Sequence, residues 1–276
     1  PNSSSILSLS GRGSGPSPVS LHSGPDWNGD FQEQLREVLE AEHNSELSVE
    51  KSVQLRQLCS RFADTASALA IKIIEELHLP VSRRTILPMS DAIGGVAGGE
   101  KYIHSGIFFK LSRDWKGIYG GDGNAMKAAE HEIKGGMAYL DCRIVKLRLP
   151  LMALIRYRGH CILAESIIPV GNDSLVYGSR DGGVTIFAEN QELNEKMRLA
   201  AKHLNLKAHR VWNRTRTKNV LLHAPIDLEG HIGRDGLFYV IDTARVFPPV
   251  APVEGSRRGA YLYKLFRPEF VRLNPV

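Results

Sequence analysis

Apolar residues fall on two different periods along this chain, and the change of period divides it. After Trp27, the residues Phe31, Leu35, Val38 and Leu39 recur at helical spacing, which predicts a short helix. From Val53 to Leu77 a wide stripe through Leu58, Phe62, Leu69 and Ile73 predicts a long helix, with Ser48 and Glu50 suited to its start and Pro80 to its end. Tyr102–Leu111 reads as one apolar strand, and Ala125–Leu140 as a helix capped by Asn124. Two strands, Pro150–Arg156 and Cys161–Pro169, are joined by a turn at Arg158-Gly159, and a further pair covers Ser174–Tyr177 and Val184–Ala188. A helix over Leu193–Leu204 and a strand over Leu237–Ile241 complete the set. The pattern predicts an α+β domain: an N-terminal helical pair, residues 26–80, packed on a mixed, mostly antiparallel sheet with further helices, residues 81–276.

Residues 1–25 are rich in Ser, Gly and Pro, a composition that buries too little apolar surface to offset ordering entropy, so a disordered tail is expected. The whole chain has 276 residues, 42% of them hydrophobic, enough for a sizeable core. Its net charge of +5 is a small excess, which tilts towards acidic partners without defining one. Cys59, Cys142 and Cys161 form no CxxC pair, so neither a disulfide framework nor a zinc site is indicated, and a reducing, cytoplasmic setting is expected. No run approaches the roughly 20 apolar residues of a membrane span. The first residue is Pro1 rather than Met, which suggests a segment of something longer.

Candidate chemistry concentrates between His223 and Pro249, where Asp227, Glu229 and His231 precede an apolar strand that ends on Asp242. Carboxylates at the end of a buried strand suit magnesium bound to phosphate, with Asp227 as the catalytic candidate and Asp242, His231 and Glu229 as metal candidates. The alternative is that Asp227, Gly230 and Asp235-Gly236 only shape turns. Upstream, Gly98 and Gly99 precede the strand that carries Lys110, and the following helix carries Glu132, with Glu130 as a second choice. Glycine loop, lysine strand, glutamate helix and strand-terminal aspartate succeed one another as in kinase-like folds, which implies ATP and magnesium. Each part also has a plain reading as solvated lysine, surface glutamate and hairpin glycine. Departures are clear: there is no HRD triplet, and Thr243-Ala244 follow Asp242 in place of Phe-Gly.

A second class of function rests on Lys207, Arg210, Trp212, Arg214, Arg216 and Lys218, cations around one stackable aromatic in what reads as a loop. This suits single-stranded RNA, although a solvated loop anchored by its Trp fits as well. No GxSxG elbow and no HExxH pair is present, which sets hydrolase and zinc-protease chemistry aside.

Seven co-linear segments add a family resemblance. DWNGDFQ at Asp26–Gln32, GIFFK at Gly106–Lys110, GIYGGDGNAMKAAEHEIKG at Gly117–Gly135, PLMALIRYRG at Pro150–Gly159, VYGSRDGG at Val176–Gly183, the DG-strand-DTARVFPP run that ends at Pro249, and LYKLFRPEFV at Leu262–Val271 together resemble the Clu domain of the clustered mitochondria family. The resemblance implies a link to mitochondrial distribution and to messenger RNAs for mitochondrial proteins, with RNA or ribosome-associated proteins as partners. Family chains are usually much longer, with helical repeats after this domain, so whole-protein roles transfer weakly.

Overall fold

A computed structural model describes residues 24–41, 45–89, 99–257 and 259–274. Residues 1–23 of the expected tail and Gly98 lie outside the described residues, while Gly24 comes against the Ser105–Gly106 turn. Asp26 caps the first helix, α1 (Trp27–Glu40), by accepting the Gly29 amide at 2.9 Å. The second, α2 (Ser45–Glu75), starts three residues before the predicted Ser48 and stops ahead of Pro80.

The predicted strand Tyr102–Leu111 is a hairpin, β1 (Lys101–His104) and β2 (Ile107–Leu111), turned at Ser105 and Gly106 with φ of 51° and 73°. Two positive φ values define a type I′ turn, and Ser-Gly signals it less openly than Asn-Gly would. Next comes α3 (Asp122–Asp141), which begins at Gly121 and not at Asn124, whose side chain instead donates to the Tyr119 carbonyl. The short β3 (Leu147–Arg148) leads to β4 (Met152–Tyr157) and β5 (His160–Ser166), joined at Arg158-Gly159 as expected. After β6 (Leu175–Tyr177), the predicted partner Val184–Ala188 makes only a single bridge, Phe187 to Gly178.

Asn190 caps α4 (Gln191–Leu204). The basic run folds as a hairpin, β7 (His209–Trp212) and β8 (Asn219–Leu222), in place of the expected loop. Then follow β9 (Glu229–Ile232), β10 (Phe238–Ile241) and a terminal α5 (Pro268–Leu273).

The single mixed sheet that was expected is two four-stranded sheets, ordered β1-β2-β5-β4 and β3-β10-β9-β6. All pairings are antiparallel except β3 with β10, so the α+β expectation and its antiparallel bias hold. Two cores account for the split. One face of the first sheet, through Ile107, Phe109, Ile162 and Ala164, packs on Leu58, Phe62 and Ala66 of α2. The second sheet, through Phe238 and Val240, packs with Tyr139 of α3 and with Leu193 and Met197 of α4. Leu140 of α3 touches both cores, so α3 is the element between them.

Phe62 is 1% exposed and meets Trp27 edge to face at 5.6 Å. Replacing Phe62 by Ala is expected to cost about 3–5 kcal/mol in urea unfolding. A loss under about 1 kcal/mol would mean that this core collapses around the gap and is not close-packed.

Candidate functional site

The polar residues are held where α3 runs between the sheets. Register places Lys101 opposite Lys110 and Phe108 opposite Glu165, so Lys101, Lys110 and Glu165 share one face of the first sheet, away from α2. Lys110 Nζ lies 3.1 Å from Glu165 Oε1 and 3.3 Å from Asp242 Oδ1, a residue from the end of β10. Asp242 itself adopts φ 56°, ψ 51°, and this left-handed step turns the chain into the 3-10 turn Thr243–Arg245. That turn sits directly on α3, because a Cβ at Gly135 would lie 2.1 Å from the Thr243 carbonyl oxygen. With the backbones so close, the Thr243 amide donates to Glu132 Oε1 at 2.5 Å, and its hydroxyl donates to the same oxygen at 3.0 Å.

Lys110, Glu132 and Asp242 therefore meet, as the order of elements suggested, but the pairing differs. Glu165, which sequence reasoning missed, is bonded to Lys110 alongside Asp242, whereas Glu132 is bonded to Thr243. Glu130 pairs with Arg156 instead. The only sequence signal for Glu165 was its place as a charged residue inside the strand predicted over Cys161–Pro169. Gly99 packs against the Leu111 carbonyl, where a Cβ would come within 2.0 Å, so its smallness is used for strand contact.

Burial governs the protonation of these groups. It pushes Glu132 up to about 8 and raises Glu165, against the pull of Lys110. Burial also works against the charge of Lys110, but Glu165, Asp242 and Glu132 outweigh it and keep the ammonium protonated. Lys101, 6% exposed, is lowered to about 8 by burial and by the neighbouring Lys110.

Glu229 and His231 lie one strand further in. His231 Nε2 stands 3.1 Å from Glu229 Oε2, and its Nδ1 2.9 Å from Ser174 Oγ. Burial pushes Glu229 up to about 9 and His231 down to about 4, so the contact is a neutral hydrogen bond and not an ion pair. Asp227 is held by Arg245 Nε at 2.5 Å. Among the described residues no group of three His, Cys, Asp or Glu side chains is placed to hold a metal ion, so Glu229, His231 and Asp242 do not converge as a ligand set.

The predicted RNA residues occupy the β7–β8 hairpin. Its register puts Val211, Val220 and Leu222 on the face against the second core, and Arg210, Trp212, Asn219 and Leu221 on the outer face. Trp212 is 55% exposed and Leu221 49%. Arg210 donates to Asn219 Oδ1 at 3.0 Å, which fixes its guanidinium on that face. The tip is built on Asn213, whose Oδ1 accepts the amides of Thr217 and Lys218. Lys207, Arg214 and Arg216 are exposed, whereas Lys218 is engaged by Glu189 and by the Ile186 carbonyl.

A separate cavity of about 710 Å³ opens between the start of α1, the β1–β2 turn and residues 167–170, and none of the predicted site residues lines it.

The fold and its buried charges define a two-sheet α+β domain with an ionic junction and an exposed basic hairpin. Residues 26–251 match the family model described as Clustered mitochondria, and the chain belongs to that family. It is 31% identical over 232 residues to the Clustered mitochondria protein homolog of Anopheles gambiae, covering 81% of this chain and 15% of that protein. With Protein clueless of Drosophila mojavensis it shares 37% over 158 residues, 54% of this chain and 10% of that one. The Aedes aegypti homolog is 34% identical over 158 residues. The chain thus spans a small fraction of the length of these relatives. No solved structure matches it, and no helix among the described residues is long and apolar enough to cross a membrane.

Glu132 and Glu229 hold protons in the fold that an unfolded carboxyl releases near about pH 4.3. The folded chain binds more protons than the unfolded one over that window, so these two groups make stability fall as pH rises from about 5 towards 9. Glu229→Gln, which keeps the neutral form, is expected to flatten the decline of melting temperature between about pH 7 and 9.5. An identical decline in both proteins would mean that Glu229 is ionised in the fold.

Proposed function

We propose that this chain is the Clu-type binding module of a protein linked to mitochondria, and that it contacts RNA in the cytoplasm through the β7–β8 hairpin. The observation that carries this reading is the outer face of that hairpin, where an indole more than half exposed stands beside a guanidinium held in place by Asn219. A free Trp face offers stacking to any unpaired base, and the cations at Lys207, Arg214 and Arg216 supply phosphate attraction without sequence preference. Ribosome-associated partners fit the same charge. Family membership supports the mitochondrial link, which the relatives' names carry.

Charge reversal at Arg210, Arg214 and Arg216 together is expected to abolish salt-sensitive binding of single-stranded RNA, and Trp212→Ala to weaken it by about 1–3 kcal/mol. Fluorescence anisotropy with a labelled oligonucleotide at several salt concentrations reads both. Unchanged affinity in the triple variant would remove the hairpin from the interface.

A second reading is a kinase-like phosphotransferase using ATP and magnesium, active or degenerate. It is favoured by the meeting of Lys110, Glu132 and Asp242 from strand, helix and strand end, the groups with which such folds handle phosphate. Asp227, held by Arg245, would need to be released to act as a base. Magnesium and ATP at about 100 times their dissociation constant are expected to stabilise the wild type by roughly 2.7 kcal/mol, and to leave Asp242→Ala unchanged. A thermal melt showing no shift in the wild type would end this reading.

A further inference from the structure

The cavity of about 710 Å³ lies at the seam between α1 and the two sheets. Ile103 and Gly106 border it from the β1–β2 hairpin, Tyr239 from β10, and residues 167–170, which lead from β5 towards β6, close one side. Trp27 forms a wall and is tied by its indole N–H to the Ser105 carbonyl at 2.9 Å. A cavity of this size takes a drug-sized molecule, and junctions between packed units are where such sites recur.

Its polar side is a run of hydrogen bonds between buried groups. Gln32 Nε2 donates to Asn28 Oδ1 at 3.2 Å, Asn28 Nδ2 to the Tyr239 hydroxyl at 3.2 Å, and that hydroxyl to Asp235 Oδ2 at 2.8 Å. Gln32 gives its other amide hydrogen to the Leu149 carbonyl at 2.7 Å, and two acceptors at one nitrogen fix which way the amide points. Its Oε1 is left without a partner among the described residues, although Gln32 is only 7% exposed. A buried acceptor without a donor is costly, and a buried amide oxygen normally has one. Asn28 Nδ2, one hydrogen bond away, carries a second N–H besides the one given to Tyr239. The charged groups that line the cavity, Asp26, Arg234 and Asp235, are all exposed, two carboxylates against one guanidinium. That balance does not draw an anion, and the aliphatic walls do not suit a charge of either sign.

We infer that this cavity binds a small uncharged molecule with an aliphatic body and a secondary-amide head, whose N–H meets Gln32 Oε1 and whose carbonyl meets the second N–H of Asn28. The body lies against Trp27, Ile103, Ile168 and Val170. The site is separate from the β7–β8 hairpin and from the Lys110 junction, and it owes nothing to either reading of function above.

Trp27 reports on its own cavity. The chain has three tryptophans, so Trp115→Phe with Trp212→Phe leaves Trp27 as the single emitter. The probes are N-bromohexylacetamide, its N-methyl derivative and bromohexanoate, each with a terminal bromine that quenches a nearby indole. Saturable quenching by the secondary amide is expected, with about tenfold weaker binding of the N-methyl derivative, which has no N–H to offer the buried oxygen. Bromohexanoate is expected to give no saturable quenching, because its charge would enter an aliphatic site. In the same background, Ile103→Phe narrows the cavity and is expected to abolish binding, while Gln32→Met removes the acceptor and is expected to erase the preference for the secondary amide. Circular dichroism melts establish that each variant is folded. Should neither fold, the comparison of the two amides in the parent protein still decides. No saturable quenching by any probe, equal affinity for the two amides, or binding unchanged in a folded Ile103→Phe overturns the inference.

Discussion

The ammonium of Lys110 is the tie on which the arrangement of the two sheets depends. It is bonded to Glu165 within its own sheet and to Asp242 at the end of β10 in the other. An ion pair of this kind gains little net stability against an apolar contact of the same shape, because both partners give up water. Breaking it is a different matter. Removing Lys110 would take from the buried Glu165 and Asp242 the ammonium that both contact, and a loss of that type runs to about 3–5 kcal/mol. The pair therefore specifies how the sheets meet more than it adds to the stability of either, since each sheet has its own apolar core.

Carboxylates outnumber nearby cations around this tie, and the fold meets the imbalance by protonation. Glu132 and Glu229 are pushed up to about 8 and about 9, chiefly because burial disfavours their charged forms. Local geometry supports the same arrangement. Gly135 lets the Thr243–Arg245 turn lie against α3, and this contact brings the Thr243 amide to Glu132 and sets Asp242 beside Lys110. A larger residue at position 135 would move the turn and with it the carboxylate.

The β7–β8 hairpin is built on a separate principle. Its inner face is tied to the second core through Leu222, Val211 and Val220, and its tip is organised by Asn213, so the outer face can leave a large aromatic in solvent without loosening the strand pair. Lys218 belongs to this support, since Glu189 and the Ile186 carbonyl anchor it at the tip of the hairpin. Of the cations of this segment, Lys218 is bonded to another segment and Arg210 to Asn219 within the hairpin.

Periodicity and capping chemistry by themselves determined much of the chain. The stripes of α1, α2 and α4, the Arg158-Gly159 turn and the apolar run of β10 follow from local spacing and from turn residues, and so were legible. The α+β class followed from them. Less legible was the Ser105-Gly106 turn, because two positive φ values at a Ser-Gly step leave no mark on the alternation around them. Tertiary structure alone decided that the strands divide into two sheets, since pairing across long separations, such as β3 with β10, leaves no periodic trace. It also decided that Glu165 and Lys101 flank Lys110, that Asp227 is held by Arg245, and that Lys218 is occupied. The physical reason is common to all of these: spacing along a strand or helix sets which face a side chain takes, but the partner it meets is supplied by a distant segment whose approach depends on packing between the two cores.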